Sequence, residues 1–143
     1  MTVYEHEAQY YETDQMGIIH HSNYLRWFES ARIQFLKEIG IDYRKCEEMG
    51  IISPVTEVTC TYKSMVRFED VVEVYTRFEG YTGVKFYVTY EVRDKATGEL
   101  RTTGRSKHCF TDKEGRPISL KRVNPELHER LLAAMEEQDV RNS

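Results

Sequence analysis

Asp14, Gly17, His20 and His21 fall close together in the stretch "ETDQMGIIHHSNYLRWFESAR", just ahead of a strongly apolar segment. An acid, a glycine and two histidines in front of a helix make either a cap or a site. As a site they suit acyl chemistry. A carboxylate such as Asp14 can act as general base toward water, or can attack a carbonyl carbon itself. The N-terminus of the following helix supplies free N–H groups and the positive end of a dipole, which together can hold an oxyanion. Gly17 would let the backbone turn with positive φ or approach a ligand closely. The plainer alternative is that Asp14 only shapes a turn. His20 reads as a pocket-lining or surface residue.

Other chemistries are poorly supplied. His6, His20, His21, His108 and His128 have neither the i,i+4 spacing nor the Cys-x-x-Cys company of a zinc site, so no metal is expected, and no cofactor is called for. Cys46, Cys60 and Cys109 are widely spaced and odd in number, which predicts reduced thiols; no cationic neighbour is evident to make any of them a nucleophile. A net charge of -4 with scattered basic residues argues against a nucleic-acid partner. No apolar run reaches the ~18 residues of a membrane span, and the opening "MTVYEHEAQYYE" is too charged for a secretory leader, so the chain reads as cytoplasmic.

The elements that must position these residues follow from periodicity. Tyr24, Phe28, Ala31, Phe35 and Ile39 form one stripe and predict a helix over 23–39, with Ser22 or Asn23 as N-cap and Gly40 just past its end. Glu29 and Arg32 are spaced as an i,i+3 ion pair on it. A short second helix is expected near 42–49. From residue 55 the period changes to two: Val58, Cys60 and Tyr62 share a face, as do Val72, Val74, Thr76 and Phe78, and then Val84, Phe86, Val88, Tyr90 and Val92. Residues 99–111 read as another strand and 3–12 as a first. "DKATGE" and "TDKEGRP" are turns, and Asn124-Pro125 opens a last amphipathic helix. At 143 residues and 40% apolar content, the chain suits a single α+β domain spanning 1–143. Its sheet edges invite pairing across a twofold axis, which predicts a homodimer.

This order of elements, with "YYETDQMGIIHHSNYLRWFESAR" early and "VTCTYKSMVRFEDVVEV" in the middle, resembles the hotdog-fold acyl-CoA thioesterases of the 4-hydroxybenzoyl-CoA thioesterase type, over roughly residues 3–122. The resemblance implies one long central helix wrapped by a curved antiparallel sheet of about five strands, with a C-terminal helix. It also implies a pocket between subunits of a homodimer that assembles further into a tetramer. It makes Asp14 the catalytic carboxylate and the His21 backbone N–H the group that polarises the thioester carbonyl, with Gly17 between them. The expected substrate is an acyl-CoA. Tyr24, with Trp27, Phe68 and Tyr90, is a candidate lining for the acyl group. Lys63, Arg67 and Arg105, with Lys107, are candidates for the coenzyme A phosphates. Met65 departs from the Pro or Ala that the family often carries there. An acyl carrier protein thioesterase and a non-hydrolytic acyl-CoA-binding module are the alternatives; the retained Asp14 weighs against the second.

Overall fold

Among the described residues, ten runs of regular structure are built around one antiparallel sheet. The computed structural model describes residues 2–142, with side chains from 3 to 137. In chain order they are β1 (Thr2–Glu7), a 3-10 turn (Tyr10–Glu12), α1 (Ser22–Glu38), α2 (Tyr43–Glu48), β2 (Val55–Tyr62), β3 (Val71–Tyr81), β4 (Lys85–Asp94), β5 (Leu100–Cys109), α3 (Leu120–Val123) and α4 (Pro125–Asn142). The strands lie in the order β1-β3-β4-β5-β2, every neighbouring pair antiparallel. The chain thus starts on one edge, crosses by way of α1 and α2, and lays β2 on the other.

Alternation decides what the sheet buries. Val72, Val74, Thr76 and Phe78 of β3, Phe86, Val88, Tyr90 and Val92 of β4, and Thr102, Ser106 and His108 of β5 form its buried face. The stripe Tyr24, Trp27, Phe28, Ala31, Phe35 and Leu36 of α1 belongs to the same core. Phe28 stacks on Tyr90 with ring centroids 4.4 Å apart. It lies so close to β5 that a Cβ built on Gly104 would come within 2.4 Å of its ring. A side chain at 104 would push helix and sheet apart.

Three sequence expectations need correction. β1 stops at Glu7, and the residues after it coil into the 3-10 turn instead of extending the strand to 12. The N-cap of α1 is His21, while Asn23 is buried and sends its side-chain N–H to the Glu12 carbonyl at 3.0 Å. The ion pair between Glu29 and Arg32 does not form. Arg32 lies on the buried side of α1 and donates to the Tyr90 hydroxyl at 3.2 Å, whereas Glu29 is on the exposed side. The C-terminal helix matches α1 in length, at 18 residues against 17, and is docked by Leu127, Leu131 and a 2.7 Å hydrogen bond between His128 Nδ1 and Tyr81 Oη.

β2 differs from its neighbours. Val58 is paired with Ser106 and Tyr62 with Thr102, so both lie on the face that α1 covers elsewhere. They are nonetheless 40% and 47% exposed, because β2 is an edge strand that α1 meets only at its start, where Tyr24 packs against Tyr62.

Candidate active site

The loop between the 3-10 turn and α1 is a miniature hairpin. Thr13 bridges Ile19, Asp14 N–H donates to the Ile18 carbonyl at 2.9 Å, and Gly17 N–H closes the turn on the Asp14 carbonyl at 3.1 Å. Gly17 has φ 77°, and nothing lies within 4 Å of where its Cβ would stand. The positive φ is the turn role open to this glycine, and the space beside it is open. The Ile19 N–H donates to the Val66 carbonyl at 2.9 Å, and Ile18 bridges Arg67, which docks the hairpin on the segment leaving β2.

This arrangement leaves two polar groups without partners among the described residues. Asp14 Oδ1 accepts the Met16 N–H at 2.8 Å, while Oδ2 has no hydrogen-bond partner among the described residues. At the start of α1, Ser22 N–H is turned toward His20 Nδ1 at 3.2 Å and Asn23 N–H donates to the His20 carbonyl at 3.0 Å. The N–H of His21, the N-cap residue just ahead of them, has no acceptor among the described residues. The His21 carbonyl accepts from Tyr62 Oη at 3.2 Å, tying the helix start to β2.

Asp14 and His21 share the wall of one cavity of about 310 Å³ with Tyr24, Tyr62, Lys63 and Met65. Burial pushes both phenols up, Tyr62 to about 12, so each is a neutral hydroxyl at physiological pH. Two other hollows of comparable size offer no such pair. Between α2 and α4, Asp42 caps α2 and Glu126 is paired with Arg130; on the outer sheet face, Glu91 is paired with Arg93.

Tyr24, at 3% exposure, contributes to the core as well as to the cavity wall. Lys63 is exposed on that wall. Arg67 is exposed just beyond it, its own N–H held by Asp70. Arg105 is not brought to this place. It occupies the opposite face of β5, where it pairs with Glu79 at 2.8 Å and lies over the Tyr87 ring. Lys107, on that same face, pairs with Glu57 at 3.2 Å. His20 stacks on His21 with centroids 4.2 Å apart. The thiols of Cys46 and Cys60 are pushed up by burial, which suits packing and not attack.

Glu12 has a part in this arrangement that its sequence position does not announce. It is buried, and its carboxylate accepts from His6 Nε2 at 2.8 Å, from the Gln9 N–H at 2.8 Å and from the Trp27 indole at 2.7 Å. Burial alone would raise its pKa, but those three donors outweigh it and hold the carboxyl below its usual range. Its partners come from three separate stretches of chain, so only a folded structure reveals it. Tyr62 was equally hidden, although its alternation with Cys60 already set the face it shares.

The family model described as Thioesterase-like superfamily matches residues 9–135 of the chain. A Bacillus subtilis protein provisionally named acyl-CoA thioesterase YneP is 38% identical over 125 residues, spanning 87% of this chain and 90% of that protein. The crystal structure of a DHNA-CoA thioesterase from Staphylococcus aureus superposes with a TM-score of 0.91 at 37% identity, covering 99% of this chain and 93% of that one.

Proposed function

Because the chain belongs to the thioesterase-like superfamily, we propose that it hydrolyses an acyl-CoA thioester to the free acid and coenzyme A, with Asp14 and the His21 amide as the reacting pair. The observation that carries the assignment is the coincidence in one cavity of a carboxylate oxygen and a helix-start N–H, both without protein partners. The thioester carbonyl oxygen would accept the His21 N–H, whose polarity the dipole of α1 reinforces as negative charge develops on that oxygen. Asp14 Oδ2 would then take a proton from the attacking water, or attack the carbonyl carbon to give a mixed anhydride that water cleaves. In either course the C–S bond breaks and the coenzyme A thiolate leaves and is protonated. Gly17, at φ 77°, closes the turn that carries Asp14 back toward α1.

Tyr24 lines the acyl side of the cavity in this reading. Lys63, and beyond it Arg67, would meet a coenzyme A phosphate. Arg105, already paired with Glu79, is not assigned that task. The whole chain acts as one hotdog domain in which the sheet wraps α1, in the cytoplasm, as a homodimer that can pair again into a tetramer. The exposed apolar residues of β2 support the dimer, since a second copy would cover them.

The test is Asp14→Asn, assayed with a panel of acyl-CoA substrates that includes an aromatic acyl group such as DHNA. Asn keeps the size and can still accept the Met16 N–H, but it is neither base nor nucleophile. Turnover should fall by about 10²- to 10⁴-fold with coenzyme A affinity kept within several-fold. Equal activity of the Asn variant would remove Asp14 from the chemistry. No turnover of any substrate by the wild-type chain would favour the binding-module alternative, and faster turnover of carrier-linked substrates would favour the acyl carrier protein alternative.

A further inference from the structure

Glu12 joins both ends of the catalytic hairpin to the body of the domain. Its side chain holds β1 through His6 and α1 through Trp27. Its carbonyl accepts the His20 N–H at 2.8 Å and the Asn23 side chain at 3.0 Å. Asp14 lies two residues after it and His21 one residue after His20, so the positions of both reacting groups depend on what holds this one residue. The anchorage extends further: His6 stacks over Trp27 at 4.8 Å, and its Nδ1 accepts from the Tyr4 hydroxyl at 3.3 Å. A role in capping the 3-10 turn would need only the bond from the Gln9 N–H to Oε1. The bond from the Trp27 indole to Oε2 reaches across to α1 and has no use in such a cap.

We propose that Glu12 is a positioning residue for hydrolysis: its buried carboxylate fixes the distance between the Asp14 carboxylate and the His21 N–H, without touching substrate. This rests on the reading of Asp14 and His21 as the reacting pair. An ionised carboxylate is the side chain that can accept all three donors at once. Glutamine, nearly identical in shape, presents one oxygen and an NH2 group that must face a donor. The result would be a hairpin displaced by a fraction of an ångström to an ångström, and a displacement of that size can reduce rate by about a hundredfold while leaving binding nearly intact.

The experiment measures kcat and KM for Glu12→Gln on an acyl-CoA that the wild type hydrolyses, at a temperature where circular dichroism shows the variant folded. The expected result is a kcat lower by about 10- to 100-fold with KM within about threefold. A purely structural residue would lower the active fraction on heating but would not separate kcat from KM in the folded protein. Trp27→Phe serves as the second variant, since it removes one donor and keeps the ring; its kcat should fall by about three- to tenfold with KM again unmoved. Wild-type kcat in either folded variant, or a rise in KM with kcat unchanged, would overturn the proposal. An inactive wild type would instead strike the thioesterase reading itself, so the two failures are distinct.

Discussion

Two acids stand two residues apart in this chain and face opposite circumstances. Glu12 has donors on both carboxylate oxygens, while Asp14 keeps one oxygen free in a cavity it shares with His21. The sequence marks the second as a candidate because its signal is local: acid, glycine and histidine at short spacing before a helix. It concealed the first, whose meaning depends on Tyr4, His6 and Trp27 arriving from elsewhere. Since the contribution assigned to His21 is its main-chain N–H, His21→Ala should lower kcat by about tenfold at most, well short of the loss from Asp14→Asn. Steady-state kinetics on the folded variants would check the ranking. A second prediction concerns His108, fully buried against Phe86 and hydrogen-bonded to Ser106 at 2.7 Å. Burial, aided by the nearby positive charge of Arg32, lowers its pKa to about 3. The folded state therefore keeps this ring neutral, while the unfolded state takes up a proton below about pH 6.5. Its contribution is whole above that pH and is lost as pH falls toward 3, amounting to about 2 kcal/mol by pH 5. Urea denaturation of wild type and His108→Gln between pH 7 and 5 should show the wild type losing more stability by roughly that amount; parallel losses would refute it.

Among the elements, α1 and the strands β3, β4 and β5 were legible because each has one period and one buried face. The structure departs where that logic is silent. The 3-10 turn at Tyr10–Glu12 and the single turn of α3 are too short to show a period, and Arg32 sits on the apolar side of a helix where spacing alone suggested a surface ion pair. The predicted stripe can be tested by its centre. Phe28 stacks on Tyr90 and contacts β5 at Gly104, so Phe28→Ala should leave a cavity between helix and sheet and cost about 3–5 kcal/mol. Thermal and urea unfolding would measure it. A loss under about 1 kcal/mol would mean that α1 settles onto the sheet without this ring.

At the scale of the whole molecule, the alternation in β2 identified which residues share a face but not what covers that face, since the pattern is the same whether the cover is a helix of the same chain or a second copy. Val55, Val58 and Tyr62 remain exposed, and Tyr62 also bonds the start of α1. Placing a charge there should therefore act on assembly and on catalysis together. Val58→Lys is expected to shift sedimentation from dimer toward monomer and to lower turnover at least tenfold, about 1.4 kcal/mol in the barrier. A fully active monomer, wild type or variant, would end the dimer reading. Finally, the close contact at Gly104 bears on how the gene can vary. A complete substitution scan scored for activity should rank position 104 with position 14 as least tolerant, although one residue is proposed to perform chemistry and the other only leaves room for a ring. A scan scored for abundance would separate them: replacements of Asp14 should accumulate as intact, inactive protein, and replacements of Gly104 should disappear.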